Sequence, residues 1–106
     1  MRKFRVWDVS DERMYYNVTN ISDINGYIMQ FTGLYDKNNR EIYEGDLLQH
    51  PNGTIAEIQY SDDLAAFVAV YARNGNTEIN YLDKNIIKKC EVIENIYEKS
   101  NKRVRR

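Results

Sequence analysis

The 106-residue chain has one cysteine, one proline, one histidine and one tryptophan. A lone Cys90 excludes an intramolecular disulfide framework and a multi-cysteine zinc site, so a reduced, intracellular protein is expected. No apolar run approaches the roughly 18 residues of a membrane span. The longest is Leu64–Ala72, and the N-terminus carries no apolar signal-peptide core, which makes the cytoplasm the expected location. Gly33, Gly45, Gly53 and Gly75 stand isolated, and none opens a helix. That excludes a phosphate cradle of the Walker or Rossmann type. The serines likewise lack the strand-turn-helix context of a nucleophile elbow.

What is present fits one folded domain. Hydrophobic residues make up 42% of the chain and charged ones 29%, enough for a single core and too short for two domains. Tyrosine is the outlier, with nine copies against three phenylalanines. A Tyr ring buries an apolar face while its hydroxyl keeps a polar contact, which suits half-buried sheets and interfaces alike. Charge is unevenly placed. Met1–Glu98 holds all sixteen carboxylates and ten of the fifteen Lys and Arg, a net of −6. Such a body repels phosphate backbones unless its charges are sorted onto separate faces. The other five cations, Lys99, Lys102, Arg103, Arg105 and Arg106, crowd the last eight residues.

Along the chain, Lys3–Asp8 alternates as a one-sided strand does, with Phe4 and Val6 opposite Lys3, Arg5 and Trp7. Met14–Tyr16 reads as its partner, and the Asn/Ser/Asp-rich stretch Asn17–Gly26 as a loop. Tyr27–Tyr35 is the next strand, and Asp36–Arg40 is a reverse turn, because Asn accepts left-handed backbone. Gly45 marks a bend or bulge. Five strands follow: Leu47–His50, Thr54–Tyr60, Ala65–Tyr71, Thr77–Leu82 and Cys90–Tyr97. The apolar continuity of Ala65–Tyr71 predicts burial on both faces. Asn74-Gly75 is a two-residue hairpin signal, and Asp83–Lys89 makes a brief helical turn. The expected fold is mainly β: a small antiparallel SH3-like barrel (45–98), an N-terminal hairpin or small sheet packed on it (1–44), and a flexible basic tail (99–106). Closure of the barrel would remove exposed sheet edges.

Three stretches resemble one family. Lys3–Asp8 with Met14-Tyr15 opens the pattern, Met29–Asp46 (MQFTGLYDKNNREIYEGD) carries its core, and Glu91–Glu98 (EVIENIYE) closes it. Together they resemble the YopX proteins of phages and prophages. The resemblance implies a β-rich subunit with an SH3-like barrel that associates with copies of itself; it implies no reaction. Two positions depart from the pattern. Asn39 stands where Gly is frequent, which a turn tolerates. Glu94 stands where Gly is usual, which bears on a bulge or close backbone approach there.

Each candidate for chemistry has a structural explanation. His50 precedes Pro51-Asn52-Gly53 and reads as a turn residue. Lys88 and Lys89 could activate the Cys90 thiol, but a free cysteine is more often a small buried hydrophobe. Asp62-Asp63, Glu41/Glu44/Asp46 and Asp83 fall where turns favour carboxylates. No catalytic, cofactor or metal residues are therefore assigned. The expected function is non-enzymatic: an accessory protein of the bacterial cytoplasm working through protein contacts and self-association. Trp7, Tyr15, Tyr16, Tyr35 and Tyr43 are its candidate interface. The alternative is weak nucleic-acid binding by Lys99, Lys102, Arg103, Arg105 and Arg106, with a basic edge at Arg2, Lys3 and Arg5. No small-molecule substrate is evident.

Overall fold

The computed structural model describes the backbone of residues 2–18 and 25–104, with side chains through residue 100. Alternation at the N-terminus produces β1 (Phe4–Asp8), which lies between β2 (Arg13–Val18) and β3 (Gly26–Tyr35). β4 (Glu41–Tyr43) continues from β3, giving the order β2-β1-β3-β4. Asn17 and Val18 extend β2; residues 19–24 of the expected loop lie outside the described residues.

The second sheet is a meander. β5 (Asp46–Gln49), β6 (Ile55–Ser61), β7 (Ala66–Arg73) and β8 (Asn76–Tyr81) pair in sequence. A four-residue α1 (Lys84–Ile87) returns the chain to β9 (Glu91–Asn95), which pairs with β5. The order β8-β7-β6-β5-β9 is that of a small SH3-like half-barrel. Its end strands β8 and β9 are not neighbours in the ladder, so both edges persist where full closure was expected.

Ile42, Leu48, Ile58, Ile87, Cys90 and Val92 form the core, with Leu34, Ala69 and Leu82 packed against it. β3 and β4 thus contribute to the same core as the meander, and the turn at Gly45 runs through one hydrophobic unit. Ile42 is fully buried, worth roughly 1.5–3 kcal/mol. β7 departs from expectation. Only Val68 is fully buried; Ala66, Phe67, Ala69, Val70 and Tyr71 are half-buried, and Ala72 and Arg73 are exposed.

The C-terminus also differs. The last strand stops at Asn95, and α2 (Ile96–Val104) follows, where strand to Tyr97 and then a flexible tail were expected. Asn95 is the reason. Its Oδ1 accepts the Glu98 N–H at 2.8 Å, and its Nδ2 donates to Glu98 Oε1 at 2.6 Å. That arrangement caps a helix N-terminus. Tyr97 then stacks on Tyr27 with centroids 4.7 Å apart, docking α2 on the first sheet.

Candidate protein interface

The segment Met29–Asp46 is occupied by architecture. Asp36 is 3% exposed, and its Oδ1 accepts the N–H groups of Asn38 (2.8 Å) and Arg40 (2.9 Å). Its Oδ2 reaches across to the Val92 N–H at 2.9 Å, while Lys37 N donates to Cys90 O at 2.9 Å. One turn therefore holds its own loop and covers the outer edge of β9. Asp46 does the same at the other end. Its Oδ2 caps the Tyr43 N–H at 2.8 Å and its Oδ1 accepts from Arg5 Nη2 at 2.8 Å, both side chains being 2% exposed. Burial pushes the Asp46 carboxyl above its ordinary range, against the pull of Arg5. Arg5 also donates to Glu44 O and lies over the Tyr43 ring, 4.7 Å from its centroid. Gly45 has φ +86°, and a Cβ there would sit 3.1 Å from Met29 Sδ beneath α2. Any side chain there is strained by the positive φ and requires the Met29 thioether to shift, which favours glycine.

These contacts redistribute the residues singled out from sequence. Trp7 shares the face of Arg5 and is 8% exposed, and Tyr43 is 2% exposed. Neither is available to a partner, because the second layer covers the face expected to be free. Tyr15, Tyr16 and Tyr35 remain well exposed. Arg5 leaves the expected basic edge by burial, and Lys3 pairs with Glu41 over the Phe31 ring. Lys99, Lys102 and Arg103 lie along α2; Arg105 and Arg106 are outside the described residues.

The candidates for chemistry are occupied as well. His50 Nδ1 accepts the Asn52 N–H at 3.1 Å, so it organises its turn. The Cys90 thiol is 5% exposed, donates to Ile86 O and is pushed above its ordinary pKa by burial. Asp83 caps α1 through Asn85 and Ile86. Among the described residues no three His, Cys, Asp or Glu side chains converge as metal ligands, and no helix is long and apolar enough to cross a membrane. A groove of about 390 Å³ opens beside α1 between Leu48, Ile58, Tyr71, Asn80 and Cys90. Tyr71 at its rim accepts from Asn80 Nδ2 and donates to Glu78.

Two features appear only in three dimensions. The first is β8. It ends the sheet, and five of its six residues are exposed, among them Ile79 at 55% and Tyr81 at 62%. Ile55, also exposed, lies on the same face two strands away. The sequence signal was present in the alternation Thr77/Ile79/Tyr81 after Asn74-Gly75; what it lacked was the strand's place at the edge. The second is a hollow of about 410 Å³ lined by Lys37, Lys84 and Lys88 with Tyr35. Lys37 there pairs with Glu91 at 3.2 Å.

The fold and site define a small, mainly β domain in which, among the described residues, one barrel edge is covered and the other is open. The family model for YopX protein matches residues 18–102, and the chain belongs to the YopX family. The match takes in Met29–Asp46 and Glu91–Glu98, whereas Lys3–Asp8 precedes it. Asn39 holds φ +62° in its turn as expected. Beside Glu94 the register of β9 shifts against Leu47 and Leu48, so an irregularity stands there without glycine. Among solved structures the chain is similar to protein EF1440 from Enterococcus faecalis. Identity is 25% and the TM-score 0.59, over 94% of this chain and 96% of that one. No curated protein matches.

Proposed function

We propose that this chain is a non-enzymatic contact module, a phage or prophage accessory protein acting in the host cytoplasm through other proteins and through copies of itself. The observation that carries this reading is the unequal treatment of the barrel edges. Asp36 bonds to Val92 on the outer side of β9 and Lys37 to Cys90 just before it. Among the described residues no such bond reaches the outer side of β8, which presents Ile79 and Tyr81. Protein edges are ordinarily blunted with Lys, Pro, bulges or a covering loop. β8 contains neither Lys nor Pro. Tyr15 and Tyr16 on the edge strand β2 offer a second aromatic surface. Light scattering on the full chain at micromolar concentration is expected to give a mass above the 12.6 kDa of one copy. A strict monomer would remove self-association.

The second reading, nucleic-acid binding, draws on the Lys37/Lys84/Lys88 hollow beside Tyr35 and on the cations of α2. It expects salt-sensitive anisotropy changes with a single-stranded oligonucleotide that weaken on deleting residues 99–106. No change at low salt would dismiss it.

A further inference from the structure

Asn74 and Gly75 both have positive φ, at 52° and 81°, and Arg73 pairs with Asn76. This is a two-residue hairpin whose closing pair exchanges both of its backbone hydrogen bonds. The phase of the ladder follows. Asn76, Glu78 and Asn80 direct their N–H and C=O groups inward to β7, and Thr77, Ile79 and Tyr81 direct theirs outward. The outward residues place their side chains on the face that also carries Val70 and Ile55.

A strand added to this edge must match that phase. In an antiparallel two-fold pairing of β8 with itself, outward residues must face outward residues, which restricts the axis to a residue position. Centring on Glu78 sets two carboxylates directly opposite, which is unfavourable. Centring on Asn80 uses only Ile79 and Tyr81 of the three outward residues. Centring on Ile79 uses all three: Ile79 faces Ile79, and Thr77 faces Tyr81 twice. On the other face it sets Glu78 opposite Asn80 and leaves no like charges opposed. We infer that β8 pairs with β8 of a second copy in this register, giving a continuous sheet across the dimer with the Ile79 side chains at its axis. The inference rests on the self-association reading above and specifies its surface.

Cysteine trapping on the full chain tests the register. Hydrogen-bonded antiparallel partners have Cα atoms about 5.5 Å apart, inside the roughly 4.4–6.8 Å range of disulfides. Under diamide, Ile79→Cys is expected to give a linked dimer by itself. Tyr81→Cys alone should not, and mixing it with Thr77→Cys should. Cys90 is buried and does not compete. In the unmodified chain, the Thr77, Ile79 and Tyr81 amides should exchange more slowly as concentration rises. A dimer in which Glu78→Cys links and Ile79→Cys does not, or whose β8 amides show no concentration dependence, overturns this register and leaves self-association standing. A chain that remains monomeric at every concentration overturns both.

Discussion

The segment Met29–Asp46 and the meander Ile55–Tyr81 are both antiparallel β structure, yet they use polar residues in opposite ways. In the first, Asp36, Asp46 and Glu44 turn their carboxylates onto backbone N–H groups, and Arg5 arrives from β1 to neutralise one of them. In the second, Glu78, Asn80 and Tyr71 bond to one another at a groove rim, while Ile55, Ile79 and Tyr81 face water. A sequence motif dense in charge can therefore be a structural fastener, and the plainer stretch the working surface. Desolvation explains the division. A buried carboxylate is tolerated only with its hydrogen bonds satisfied, so those positions admit few residue types. An exposed strand accepts many.

The sharpest way to break this contrast is Arg5→Ala, which strands the Asp46 carboxylate in the core. It should cost about 3–5 kcal/mol in urea unfolding. A loss below about 1 kcal/mol would show that the pair is not the fastener. Asp36→Asn comes next, at about 3 kcal/mol, because an amide nitrogen must then meet one of three backbone N–H groups. It should also speed amide exchange at Val92.

The Lys3–Glu41 pair gives a smaller, pH-dependent effect. The Lys3 ammonium holds the Glu41 carboxyl below its ordinary value of 4.5. Its stabilisation is therefore complete above that value and lost as pH falls through the lowered one. Urea midpoints between pH 5 and pH 3 should fall less steeply in Glu41→Gln than in the parent. The smallest effect belongs to the meander. Ile79→Lys should leave unfolding within about 0.5 kcal/mol of the parent, while setting like charges at the dimer axis and weakening association at least tenfold. A large loss of stability there would contradict the open edge.

Much of the fold was legible because turns and alternation are local. Asn74-Gly75, the Asp36–Arg40 turn and Gly45 fall where residue chemistry places them, with positive φ at Asn39, Gly45, Asn74 and Gly75. The helix α2 was missed although Asn95 and Glu98 spell its cap, since Val92, Ile93 and Ile96 also read as strand. The candidate interface was legible only in part. Period-two alternation shows that Trp7 and Val6 lie on opposite faces, but it does not say that both faces will be covered, as they are.

The sequence by itself determined a small β domain lacking a disulfide framework, a Gly-rich phosphate loop and a long apolar run. Those properties follow from residue types and short-range spacing. Tertiary structure decided which tyrosines face water, that Arg5 is spent on Asp46, and that among the described residues β9 is covered while β8 is not. These depend on contacts between residues as far apart as Asp36 and Val92, 56 positions along the chain. Local propensity carries no information at that range.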